Sequence, residues 1–151
     1  MIDPGNDTVI AAVIAAIEDE IAPDCGEHAA SLCRTAAQML RQVRTRLREE
    51  VPALVAGNTE LRCLLRSVQT ATLPAETAAT VAAVLADEPV AVYPDVAQLR
   101  AEASKLRGAL AAIIAIKPED HPIRAAARGY IATQLRRELR WQQDAYTGPR
   151  R

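Results

Sequence analysis

Apolar residues recur along this chain at alternating spacings of four and three, the rhythm that gathers side chains on one stripe of an α-helix. In the first half the stripe is Ala29, Cys33, Ala36, Leu40, Val43 and Leu47; in the second it is Val96, Leu99, Ala103, Leu106, Leu110 and Ile113. Such stripes form the seams between packed helices. An earlier segment, Val9, Ile10, Val13, Ile14, Ile17 and Ile21 interleaved with alanines, is apolar nearly all round. A helix of that kind is either central to a bundle or covered by a second subunit. The pattern is therefore consistent with a homodimer through the first helix and with a monomer built around it.

Start and stop residues divide the chain into helices. The first spans residues 6–22, capped by Asn6 or Asp7 and ended by Pro23. The second begins near Asp24 and continues past Arg48, with Pro52 expected to kink or break it. Gly57 suits the left-handed residue that ends a helix, and Asn58 or Thr59 can cap the next, which carries Leu61, Leu64, Leu65 and Val68. A fourth starts at Pro74, carries Ala78, Val81, Val84 and Leu85, and stops before Pro89. Val90, Val92 and Tyr93 have no partner strand elsewhere and read as an extended connector. Pro94 and Asp95 open a fifth helix that ends before Pro118, with Gly108 inside it as a weak point or a site of close approach. The sixth runs from Pro122 to about Tyr146, with Ile123, Ala127, Ile131, Leu135 and Leu139 facing inward. The expected architecture is an all-α, single-domain bundle of five or six helices over residues 1–146, followed by a flexible tail at 147–151.

Composition sharpens this picture. A chain of 151 residues can bury a core without metal or disulfide staples. Alanine makes up roughly a fifth of it, phenylalanine is absent, and the aromatic set is Tyr93, Tyr130, Trp141 and Tyr146. Aliphatic layers between closely spaced helices follow. A net charge of −1 creates no global field favouring nucleic acid or an anionic membrane. The charges are nevertheless segregated: those before Arg34 are acidic, arginine dominates residues 34–66, residues 67–99 carry only acids, and Arg100 opens a second basic stretch. Acidic helices lying beside basic ones explain that order; the rival explanation is a bipolar surface for a charged partner. The N-terminus carries acids where a secretion signal needs bases, and no apolar run is long enough to span a bilayer. With only Cys25, Cys33 and Cys63, the expectation is a reduced, cytoplasmic setting in which the cysteines pack as small core residues.

Reactive chemistry is sparse. Cys25 and His28 share a helix face, but a zinc site needs more ligands, and Cys33, Cys63 and His121 form no second paired motif. The Glu-x-x-His pairs of di-metal bundles are absent, since Cys25 and Pro118 stand three residues before the two histidines. Cys25 beside His28 is the one arrangement resembling an activated thiol. There is no glycine-rich phosphate loop, nucleophile elbow or dinucleotide fingerprint. No catalytic residue, metal or cofactor is assigned. Arg41, Arg44 and Arg48, with Arg34, lie on one broad side of the second helix and are the candidate anion-binding group. Arg124, Arg128, Arg136, Arg137 and Arg140 do likewise on the last helix. Stacking aromatics are few and Glu49, Glu50 and Glu138 interrupt the positive surface, which argues against nucleic acid. Tyr130, Gln134, Arg137 and Trp141 share a side of the last helix and combine residue types found at interface hot spots, making them the candidate partner-contact patch.

The segments VIAAIEDEIAP, VRTRLREEVPAL and GNTELRCLLRSV, within residues 9–68, resemble a loose group of small helical bacterial proteins of unknown function. Members of that group are often encoded beside aminoglycoside-phosphotransferase-like kinases and acyl-CoA dehydrogenases. The resemblance implies an accessory or partner protein in small-molecule or acyl metabolism and carries over no catalytic residues. The leading expectation is thus a non-catalytic interaction protein that presents apolar and arginine-bearing helix faces to a partner chain or to itself. The second is a ligand-binding or enzymatic bundle that holds an acyl or phosphorylated compound between helices, with arginines fixing the anion. A DNA-binding regulator would need a basic recognition helix that the chain lacks.

Overall fold

The computed structural model describes residues 5–87 and 95–143, with backbone alone for 141–143. Among the described residues the chain is all-α, with five α-helices and no strand: α1 (Asn6–Ala15), α2 (Glu27–Arg66), α3 (Ala75–Ala86), α4 (Val96–Ile116) and α5 (Pro122–Gln143). A π-helical turn, Ala16–Ile21, and a short 3-10 turn, Ala22–Asp24, carry the chain from α1 towards α2. The extended connector expected around Val90 and the flexible tail at 147–151 lie outside the described residues.

The largest departure from expectation is α2. Its 40 residues run unbroken through Pro52 and Gly57, where two helices were expected. Proline inside a helix removes one hydrogen bond and costs about 3 kcal/mol. Here Pro52 is exposed, while Ala53, Leu54, Leu61 and Leu65 beyond it are buried. Burial at about 1.5–3 kcal/mol for each large side chain outweighs the defect. Gly57 does not adopt a left-handed conformation. It sits in mid-helix because α5 comes close: an added Cβ would lie 2.8 Å from Gln134 Oε1. Asn58 caps nothing and turns into the interior. Gly108, by contrast, faces open space and marks no close approach.

The remaining boundaries follow their local chemistry. Asp95 caps α4, its Oδ1 accepting from the Ala97 N–H at 3.1 Å. His121 Nδ1 accepts from the Ile123 N–H at 3.2 Å where α5 begins. At the other side of that turn, the Arg124 guanidinium donates to the carbonyls of Ile114, Lys117 and Pro118 at 2.8–3.1 Å. These are among the carbonyls that the end of α4 leaves without helical donors.

The chain divides into two compact units, one formed by the chain up to Glu49 with the chain from Glu138 onward, the other by Glu50–Arg137. The second, here the core unit, holds Leu61, Leu65, Val81, Leu106, Ile113, Ile123 and Ala127 in one cluster and Leu54, Leu99 and Ala103 in another. The stripe expected on the fifth helix, Leu99 through Ile113, is buried as anticipated. The first unit is differently made. Among its described residues the buried hydrophobics are Ile14 and Ala37 alone, with Thr45 as a buried polar neighbour.

Candidate interaction surface

Among its described residues the first unit is held by charge more than by buried apolar side chains. Both Asp7 oxygens accept from Arg44, Oδ1 from Nε at 2.6 Å and Oδ2 from Nη2 at 2.7 Å. Arg48 approaches the same carboxylate at 3.8 Å, and Glu18 pairs with Arg41. The candidate anion-binding arginines Arg41, Arg44 and Arg48 are therefore neutralised by acids of the first segment. Acidic α1 beside basic α2 is the arrangement that the charge order along the chain suggested.

Binding α1 through those arginines turns the remaining side of α2 outward. Leu32 is 59% exposed, Met39 63%, Val43 47% and Leu47 57%. With exposed Ala36 between them they form a continuous apolar stripe at spacings of four and three. Of the stripe expected to be a seam, Ala29, Ala36, Val43 and Leu47 are exposed; Cys33 and Leu40 are half-buried. The stripe's edges are His28, Thr35 and Gln42 with exposed Arg46 on one side and Cys33 and Leu40 on the other, so Arg46 is the charged residue along them. On α1, Val9 and Val13 are also exposed, so the first helix is not the centre of a bundle.

The last helix reverses its expected orientation. Ile123 and Ala127 are buried as foreseen, but Ile131, Leu135 and Leu139 are exposed. The expected contact patch faces inward instead. Tyr130 and Gln134 are buried beside Gly57, and Arg137 pairs with Glu60, Nη1 to Oε2 at 3.0 Å. Trp141 lies in α5, its side chain outside the described residues.

A buried polar network escaped the sequence reading. Arg62, whose side chain is only 5% exposed, pairs with Glu102 at 11%, its Nε donating at 2.7 Å. Asn58 Nδ2 donates to Glu102 Oε2 at 3.0 Å and to the Leu99 carbonyl at 3.1 Å. The available signal was positional: Asn58 and Arg62 fall on the same side of α2 as Leu54, Leu61 and Leu65. A cleft of about 420 Å³ borders this pair. Its cations are already matched, Arg62 by Glu102 and Lys105 by Asp87 at 2.9 Å, so it offers an anion no uncompensated charge. Burial pushes the Cys25 thiol up, with Cys33 and Asp24 adding to the shift, which is the opposite of nucleophile activation. Among the described residues no three His, Cys, Asp or Glu side chains gather as a metal site, and no helix is long and apolar enough to cross a membrane.

The ion pairs imply an acid dependence with a definite sign. Hydrogen bonds from Arg44 hold the Asp7 carboxyl below its ordinary 3.8, and those from Arg137 hold Glu60 below 4.5. A depressed folded-state pKa stabilises the fold above the unfolded-state value and is lost as pH falls through the folded one. These two groups should leave stability level from pH 7 to about 5 and erode it below about 4. Carboxyl-carbon NMR titration of Arg137→Met should show the Glu60 midpoint rising towards 4.5 while Asp7 is unchanged.

Comparison of the chain with family models, characterised proteins and solved structures returns no match.

Proposed function

We propose that this protein is a non-catalytic interaction module whose functional surface is the apolar face of α2 between Leu32 and Leu47. One observation carries the reading: four large side chains of a regular stripe stand about half exposed or more on a unit in which, among the described residues, the buried hydrophobics are Ile14 and Ala37. Contiguous apolar surface of that kind marks a site of association. Each Å² of apolar area covered there contributes about 25 cal/mol. The arginines of α2 help indirectly. By clamping α1 to one side of the helix they keep the stripe open on the other, so they orient the surface and do not themselves meet the partner.

A photo-crosslinking residue placed at Thr35, on the rim of the stripe, tests the reading in cells expressing the full chain. A discrete adduct is expected, and Leu32→Glu combined with Leu47→Glu should reduce its yield at least about tenfold, equivalent to about 1.4 kcal/mol of binding. Circular dichroism of that double variant should be unaltered. Equal adduct yields at Thr35 and at Ala111, an exposed position on α4, would refute the proposal.

A further inference from the structure

We infer that the occupant of the α2 face is a second copy of this chain, with the two α2 helices antiparallel; the inference rests on the interaction reading above. The first reason is the rim. An interface that selects a foreign partner does so largely through charge at its edges. The charged residue on the edges of this stripe is Arg46, which falls opposite Ala29 when the face meets itself antiparallel, so no like charges come together; a parallel, in-register pair would set Arg46 against Arg46. The second reason is shape. In an antiparallel pair centred between Ala36 and Met39, the small Ala36 of one copy faces the large Met39 of the other, and Leu32 faces Val43. A parallel, in-register pair would set Ala36 against Ala36 and Met39 against Met39. Antiparallel packing also opposes the macrodipoles of two long helices.

The third reason is area. The pairs Asp7 with Arg44 and Glu18 with Arg41 run α1 antiparallel to α2. Counted at about 100° per residue from the buried Ile14, Val9 and Val13 lie about 140° and 100° round α1, which in an antiparallel pair is the same flank as the stripe. Ten residues of α1 and nineteen of α2, at about 1.5 Å each and about 10 Å wide, give a flat footprint of roughly 450 Å² per copy. Side-chain relief raises the total for two copies past the ~1,000 Å² that a specific interface needs. Two such helix pairs meeting face to face make a four-helix bundle, with the two stripes forming a shared apolar seam.

Sedimentation equilibrium of the purified full chain decides the matter. A dimer is expected, with Met39→Glu weakening association at least about 100-fold because the introduced carboxylate is buried near the two-fold axis in both copies. Leu135→Glu, which puts the same charge on an equally exposed leucine of the core unit, should leave association unchanged. With Cys25, Cys33 and Cys63 replaced by serine, an equimolar mixture of Ala36→Cys and Met39→Cys chains should oxidise mainly to the crossed disulfide. A chain that stays monomeric at every concentration overturns the second copy as occupant, while the Thr35 adduct still reports on the face itself. A dimer dissociated by Leu135→Glu and not by Met39→Glu overturns the location. Predominant self-bridged products overturn the antiparallel arrangement.

Discussion

Replacing Glu102 by alanine is expected to lower the unfolding free energy by about 3–5 kcal/mol, the largest effect of any polar substitution in the core unit. The reason is what remains. Arg62 keeps a guanidinium with 5% side-chain exposure and loses the carboxylate that accepts from its Nε, while Asn58 loses one of its two acceptors. For a chain of this length, that loss lowers Tm by about 6–20 °C. The paired replacement, Arg62→Met with Glu102→Leu, removes both charges together and should return stability to within about 1 kcal/mol of the parent. Urea unfolding of the two variants checks both statements. A loss below about 1 kcal/mol for Glu102→Ala would mean that water reaches Arg62 and that the network is not buried in solution.

Leu65→Ala and Leu135→Ala form the second contrast. Leu65 is fully buried within the main cluster with Leu61, Leu106 and Ile113. Truncation removes its transfer free energy and leaves a cavity, together about 2–5 kcal/mol. Leu135 occupies the helical register that was expected to face inward, yet it is exposed, so its truncation should change stability by no more than about 0.5 kcal/mol. Chemical denaturation of the two single variants measures the difference. Equal losses would place Leu135 in the core and rotate α5 by about a third of a turn relative to the structure.

The same two helices show what was legible in the sequence. For α4 the alternating four-and-three rhythm, the Asp95 cap and the stop at Pro118 all agree, and the buried face follows directly. On α5 the chosen stripe stepped by four each time, from Ile123 to Leu139. Each such step advances about 40° around the axis, so the stripe drifts off the buried face after two steps. The core instead follows Ile123, Ala127, Tyr130, Gln134 and Arg137, alternating four and three. The chemical character of Tyr130, Gln134 and Arg137 suggested a surface patch, whereas their register marks a buried one. In α2, Pro52 and Gly57 looked like punctuation because their local preferences are strong. Packing beyond them overrides those preferences, and no local signal announces that. The stripe from Leu32 to Leu47 was visible as amphipathic, but periodicity shows only that a face is apolar, not what covers it. The Arg62–Glu102 pair joins residues 40 apart, and nothing in their spacing links them.

The Arg124 clamp has a consequence for how the molecule comes apart. Its acceptors are three peptide carbonyls, which no accessible pH protonates, whereas the α1–α2 and Glu60–Arg137 contacts depend on carboxylates. Acid therefore sorts the tertiary structure into two classes. Below about pH 4 the first segment should release from α2, and the α4–α5 hairpin should persist with its turn still fastened. The compact remnant would be the core unit with its aliphatic cluster in place, a native-like intermediate whose α4–α5 turn is held by a side chain that answers to no proton.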